Sequence, residues 1–286
     1  MAKILYGIAG EGMGHAVRSK IILDFLVKKH KVIIFGGGNA YEYLSKYYDI
    51  NNLGCFRFKH RKNSVSIART LLYNLLMLPG MALHSLKMMY IFLKFKPDVV
   101  MTDFEPFTNY MAFLFRIPCI SLCFAFINTK FLSRHKIITN KRNYLDYLAS
   151  QLVTALFSPP SSKYIISSFF NSDIKDKKTI VINPIIREQI LKAKPKNLNY
   201  ILVYSTTKSN KDFIKLLLKI KENFIVYGFD KNVTINNIKF KKISDVPFTK
   251  DFVVCKAVIG TGGFNLISEC MFLKKPMLTI PVKNRY

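Results

Sequence analysis

Residues 3–29 read KILYGIAGEGMGHAVRSKIILDFLVKK, and this stretch decides how the rest of the chain is read. The apolar run Lys3–Ala9 predicts a strand that empties into Gly10, Gly12 and Gly14. From His15 to Lys29, Val17, Ile21, Ile22, Phe25 and Leu26 recur at helical spacing. Strand, glycine turn and helix make half of a βαβ unit. Glycines at such a turn let a backbone approach a phosphate closely. A histidine side chain, which titrates near neutrality, suits proton transfer instead. The loop is open to either job.

Working outward, the alternation continues. Lys31–Phe35 reads as a second strand closed by Gly36–Gly38, Tyr41–Tyr48 as a short helix and Cys55–Lys59 as a third strand. Two helices, Val65–Leu78 and Met81–Phe95, are expected on either side of Pro79–Gly80. Each falls short of the ~20 residues a membrane span needs. They read either as a core hairpin or as an amphipathic surface drawn to a bilayer by Lys87, Lys94 and Lys96. Asp98–Thr102 is a fourth strand ending at Asp103, followed by helix Thr108–Phe115, strand Cys119–Phe124 and helix Tyr144–Phe157. After Pro195 the pattern restarts, with strands at Tyr200–Tyr204, Phe224–Tyr227, Ile238–Lys241, Ala257–Gly260 and Pro276–Pro281. Helices are expected at Lys211–Ile220, Thr249–Lys256 and Phe264–Phe272. The sequence thus predicts an α/β protein of two tandem Rossmann-like domains, 1–195 and 196–286, each on a parallel sheet.

Composition narrows the function. Half of the 286 residues are apolar, which excludes wholesale disorder. Five cysteines, an odd number without a CxxC pair, and six apolar residues after Lys3 with no cleavage site predict a reduced, cytoplasmic chain with no signal peptide. The net charge of +27 suits phosphate-bearing ligands or an anionic membrane. Only nine of the 44 basic residues are Arg, and no stacking-aromatic motif accompanies them, which argues against nucleic acid. The first loop lacks the third glycine of a dinucleotide fingerprint, and the second strand ends in Phe35–Gly36 without a carboxylate. No GKS or GKT is present, so a Walker-type NTPase is excluded too.

A second glycine site lies near the end. VIGTGGFNLISECMFLKKPMLTIP (258–281) reads strand, Gly260–Gly263, helix, strand. The N–H groups and dipole of such a helix start attract a diphosphate. Glu269 follows about a turn and a half later at ~3.6 residues per turn, where a carboxylate is able to accept from vicinal ribose hydroxyls.

GEGMGHAVRS (10–19), MTDFEP (101–106) and GTGGFNLISECMFLKKPMLTIP (260–281) together resemble the glycosyltransferases of the GT-B fold. The most similar-looking group is related to the lipid-intermediate N-acetylglucosaminyltransferase of peptidoglycan synthesis and to UDP-glucuronosyltransferases, with members labelled as teichoic-acid-type biosynthesis proteins. The resemblance implies two Rossmann-like domains facing a central cleft. The second would bind a nucleotide-sugar donor and the first a hydroxyl acceptor, lipid-linked in some members.

Carried over by position, Gly12 and Gly14 line the donor side of the first loop, and Ser205, Thr206 and Thr207 the donor phosphates. Gly262, Gly263 and Asn265 face the diphosphate, Glu269 the ribose, and Ile243–Val246 the base. His15 is the implied general base and Asp103 its orienting partner. The alternatives for these two are a loop histidine and a helix cap ahead of Pro106.

Asp103-Phe104-Glu105 also reads as a DxD-like metal pair, but a helix-start role explains Glu105 more simply, so no metal or other cofactor is expected. Retaining members carry a second glutamate eight positions earlier; here that position is Thr261, so inversion is expected. The family continues beyond PVKNRY with a sugar-reading segment, which leads to the expectation of an incomplete second domain. Around Cys123–Asn128 only Asn128 suits an acceptor contact. Other classes that fit are a nucleotide-sugar-binding pseudoenzyme, a membrane-associated scaffold and a sugar-nucleotide epimerase.

Overall fold

The computed structural model describes residues 1–55, 60–61, 64–65, 67–122, 148, 152, 154–169, 177–205 and 211–280. The chain divides into two compact units, Met1–Phe58 with Ala68–Ile185, and Lys59–Ile67 with Ile186–Arg285.

The first unit opens as its sequence predicts, with β1 (Lys3–Ile8), α1 (Met13–Leu26), β2 (Lys31–Gly36) and α2 (Gly38–Leu44). β3 (Ile50–Asn52) precedes the expected Cys55–Lys59 strand: Cys55 is outside any strand, and 56–59 lie outside the described residues. A two-stranded pair that groups with the second unit, β4 (His60–Arg61) and β5 (Ser64–Val65), leads in sequence to α3 (Ile67–Phe95). The two expected helices are one, running through Pro79. Proline removes one backbone donor, but it need not end a helix of this length.

β6 (Val99–Asp103), α4 (Pro106–Leu114) and β7 (Cys119–Leu122) follow. β8 (Lys163–Ser167) and β9 (Thr179–Ile182) complete the sheet. Most of the expected Tyr144–Phe157 helix lies outside the described residues, as does Asn128.

Seven strands form one parallel sheet in the order β3-β2-β1-β6-β7-β8-β9. Alternation along β1 divides its side chains between two cores. Tyr6 and Ile8 pack with Ala16, Leu23 and Leu44 of α1 and α2, while Leu5 packs with Met88, Phe92 and Ala112 of α3 and α4. Helices therefore cover both faces, as parallel sheets require.

The second unit begins with α5 (Glu188–Leu191) and β10 (Leu198–Tyr204). Ile186 and Ile190 pack into its core, which draws the division between units ahead of Pro195. The remaining elements are α6 (Lys211–Leu217), β11 (Phe224–Tyr227), β12 (Val233–Ile235), β13 (Ile238–Lys241), α7 (Asp245–Val254), β14 (Cys255–Gly260), α8 (Phe264–Phe272) and β15 (Met277–Thr279). Its sheet runs β12-β13-β11-β10-β14-β15, parallel except for the edge strand β12.

Both sheets reverse their winding beside their first strand, between β1 and β6 in one and between β10 and β14 in the other. Ligands of doubly wound sheets gather outside the carboxyl ends of strands at such points. His15 follows β1 and Asp103 ends β6; Ser205 follows β10 and Gly260–Gly263 follow β14. Each half of the predicted site thus sits at a switch point of its own sheet. Among the described residues, no helix is long and apolar enough to cross a membrane.

Candidate active site

Parallel register sets Asp103 beside Ile8, so the last residue of β6 lies next to the loop that carries His15. His15 Nδ1 is 2.8 Å from Asp103 Oδ1. The ring is one quarter exposed, whereas the carboxylate is fully buried. Sequence reading paired these two residues across 88 positions but missed a third. Arg18, one turn further along α1, donates from Nε to Asp103 Oδ2 at 3.0 Å and from Nη2 to Oδ1 at 2.5 Å. Ser19 Oγ donates to Oδ2 at 3.3 Å, and Tyr6 hydroxyl lies 3.0 Å from Ser19. The sequence signal for Arg18 is its spacing: positions three apart on a helix share a face, and His15 and Arg18 are so spaced.

Asp103 has no room to lose its charge. Burial opposes ionisation, but the charges of Arg18 and His15 and their hydrogen bonds outweigh it and hold the carboxyl far below the usual range. The ionised carboxylate accepts only, so His15 Nδ1 donates to it, and Nε2 is left with its lone pair. Arg18 Nη2, 3.2 Å from Nδ1, is then a neighbouring cation rather than a donor to the ring.

Phe104 turns the chain away from β6 in the left-handed region at φ 57°. It sends Asp103 and Glu105 to separate partners, and its ring lies nearly parallel to His15, with centroids 6.4 Å apart. Glu105 caps α4: Phe107 N donates to Oε1 at 2.9 Å and Thr108 N to Oε2 at 2.7 Å. Burial raises its pKa against these bonds. Each carboxylate of Asp103-Phe104-Glu105 is committed, one to cations and one to a helix start. Among the described residues no group of three or more His, Cys, Asp and Glu is placed to hold a metal.

The glycines of the first loop divide the work. A Cβ on Gly10 would fall 2.6 Å from the backbone of Gly37, so this glycine serves contact between the loops after β1 and β2. Gly12 caps α1 at φ 81° with open space around it, and Gly14 is exposed in the first turn. In the second unit Ser205 is buried at the end of β10, and Thr206 and Thr207 lie outside the described residues. Gly263 caps α8, is exposed and has no side-chain capping bond, and Asn265 lies in the first turn. Ile243 and Val246 are exposed at the start of α7.

Glu269 has a partner that the sequence did not signal. It is buried, and both oxygens accept from Arg187, Nε to Oε1 at 2.7 Å and Nη2 to Oε2 at 2.6 Å. Each oxygen accepts one bond from Arg187 and keeps further lone-pair capacity.

The profile of the family described as Glycosyl transferase family 1 matches residues 2–286. No curated protein sequence matches the chain. Similar solved structures include the glycosyltransferase of kitacinnamycin, with TM-score 0.62 and 13% identity over 98% of this chain and 80% of that one. Arabidopsis thaliana UGT89C1 complexed with UDP-L-rhamnose gives 0.59 and 14% over 98% and 79%. Phytolacca americana UGT2 complexed with UDP-2-fluoro-glucose and pterostilbene gives 0.58 and 11% over 99% and 81%. At these identities the likeness is one of fold, the GT-B arrangement of two Rossmann-like domains. With the family profile spanning nearly every residue, the chain belongs to glycosyl transferase family 1.

Proposed function

We propose that the protein transfers a hexose-type sugar from a nucleoside diphosphate sugar, a UDP-sugar first among candidates, to a hydroxyl acceptor with inversion. The observation that carries this reading is the His15–Asp103 pair, with Nδ1 tied at 2.8 Å and Nε2 left on a partly exposed ring. The acceptor oxygen attacks the anomeric carbon and its proton passes to His15 Nε2. The bond from that carbon to the diphosphate oxygen breaks, and the nucleoside diphosphate leaves with the electron pair. Asp103 fixes the tautomer and stabilises the imidazolium. Gly12 and Gly14 support the loop that presents His15. Ser205, Thr206 and Thr207, with Gly262, Gly263 and Asn265 at the start of α8, are assigned to the donor phosphates. Glu269, held in place by Arg187, is assigned to the donor ribose. No metal is given a role, since Asp103 and Glu105 already have partners. One base and no second glutamate at Thr261 support direct displacement.

The acceptor is assigned to a membrane or cell-envelope glycan, met at the cytoplasmic face. Support comes from α3, where Leu72, Leu76, Leu83, Leu86, Tyr90 and Leu93 are all exposed and follow one another by four and three residues in turn, with Pro79 completing the row. That spacing makes a single apolar stripe. Lys87 and Lys94 adjoin it, and between Asp49 and Asp98 the sequence has eight Lys and Arg and no acidic residue. A second copy would bring like charges together; an anionic bilayer complements them.

The test incubates the full chain with UDP-, GDP- and TDP-sugars plus membrane lipid extract, with and without chelator, and reads products by mass spectrometry. Turnover that is lost in His15→Ala and unaffected by chelation supports the reading. Turnover surviving in His15→Ala removes the base, and nucleotide binding without turnover by any donor favours a pseudoenzyme.

A further inference from the structure

Among the described residues, six other than glycine have φ in the left-handed region, and five of them have a local reason. Lys96, Arg116 and Lys274 follow the ends of α3, α4 and α8, where that conformation is a usual helix stop. Asp230 and Asn236 are of the types that tolerate it. Phe104 has neither reason: it is a bulky residue at φ 57° between the end of β6 and the start of α4. Bonds on both sides hold it there. Ala9 N donates to Asp103 O at 3.0 Å, and Thr102 Oγ1 accepts from Glu105 N at 3.0 Å and donates to Glu105 O at 2.8 Å. Glycine takes this conformation without steric cost, as Gly12, Gly228 and Gly262 do elsewhere in the chain. Strain kept where glycine would relieve it points to a use for the side chain.

That side chain meets His15. The two rings are 11° from parallel with centroids 6.4 Å apart, an offset stack, and Phe157 stacks on Phe104 at 5.5 Å and 23°. The bond from Nδ1 to Asp103 Oδ1 fixes one edge of the imidazole but tolerates tilt of its plane. Because the His15 ring is one quarter exposed, enclosure does not fix that plane either. We propose that Phe104 is a positioning residue: its ring, backed by Phe157, sets the plane of the imidazole and so aims Nε2 at the acceptor hydroxyl, and the strained backbone is retained to keep the ring in place. The inference rests on the reading of His15 as the general base.

The test replaces Phe104 by Gly, Ala and Tyr. Gly and Ala both remove the ring, but only Gly relieves the backbone, so Phe104→Gly is expected to melt above Phe104→Ala, the reverse of the usual order of these two residues. Turnover is measured with membrane lipid extract and whichever UDP-, GDP- or TDP-sugar the parent uses. Apparent kcat is expected to fall about tenfold or more in both variants with donor KM unchanged, because slight misplacement of a reacting group suffices for such a loss. Phe104→Tyr restores the ring and recovers most of the rate. Proton NMR signals of the His15 ring, identified by their loss in His15→Ala, read the stack without substrate. Their ring-current shift is expected to vanish in Phe104→Gly and to persist in Phe104→Tyr. A parent-like kcat in Phe104→Gly overturns the inference, as does an unchanged ring-current shift. A rate lost in Phe104→Ala but regained in Phe104→Gly also overturns it, since the backbone and not the ring would then matter. Parent-like turnover in His15→Ala overturns the base reading instead, a result independent of Phe104.

Discussion

The carboxylate of Asp103 holds the imidazole of His15 and the guanidinium of Arg18 at once, Oδ1 serving both at 2.8 and 2.5 Å. One negative charge is thus shared between a group that gains a proton in the proposed reaction and a group that is always charged. The first expectation concerns His15 itself. His15→Ala removes a partly exposed ring and leaves the Arg18–Asp103 pair intact, so the melting temperature stays close to that of the parent. Turnover falls by roughly 10²–10⁴, the usual worth of a general base. Single-turnover rates beside a thermal melt check both halves.

Arg18 competes with protonated His15 for Asp103. Replacing it by Gln removes the competing cation while Ser19 keeps its bond to Oδ2, and the acid limb of the kcat/KM profile is expected to move to higher pH. Arg18→Lys retains the cation and restores much of the original profile. A residue that served packing alone would leave the limb in place while lowering stability, so the position of the limb is the quantity to measure.

Asp103 also sets the acid response of the fold. Its folded carboxyl stays ionised far below the ~3.9 of an unfolded chain. Its contribution is therefore complete above that value and is lost as pH falls from it toward the folded pKa. Asp103→Asn removes the buried carboxylate that His15, Arg18 and Ser19 share and costs about 3–5 kcal/mol at neutral pH. The difference in urea stability between the two chains is expected to narrow once the pH drops below about 4.

Two glycines separate fold from ligand. At Gly10 an added Cβ meets the Gly37 backbone at 2.6 Å, so Gly10→Ala destabilises the first unit, by about 1–3 kcal/mol. At Gly263 nothing lies within 4 Å and φ is −64°, so Gly263→Ala leaves the fold alone. Any loss of nucleotide affinity in Gly263→Ala then reports close approach of a ligand to that backbone. Unchanged affinity removes the α8 start from the donor site.

Burial pushes the Cys119 thiol up to about 11 and Cys270 up to about 12. At neutral pH neither supplies thiolate. Iodoacetamide is expected to spare both in the native chain and to modify both once it is denatured, as peptide mapping by mass spectrometry will read.

β1, β2 and β14 were legible because continuous apolar runs ending in glycine have few other solutions, and β6 and β10 because similar runs end in Asp103 and in Ser205-Thr206-Thr207. β8, β9 and β12 were not read from the sequence. KYIIS and TIVI are too short to show a period, and Val233–Ile235 is an exposed edge with no apolar pattern to betray it. Pro79 misled because the penalty for proline is local, whereas α3 is held by Met81, Met88 and Phe92 further along. His15 and Asp103 were brought together in advance by the rule that strand-end loops share a rim. Arg187 was invisible, since it stands outside any glycine motif and meets Glu269 only through tertiary folding.

α3 has 29 residues and, at ~1.5 Å for each, extends for about 43 Å. The strands beneath it have at most six residues, which at ~3.3 Å each is about 20 Å. The helix is thus about twice as long as the strands it covers, and its described buried side chains, Met81, Met88 and Phe92, all lie at or beyond its midpoint. The leucines exposed on its first half, Leu72, Leu75 and Leu76, contribute little to the burial that holds the second.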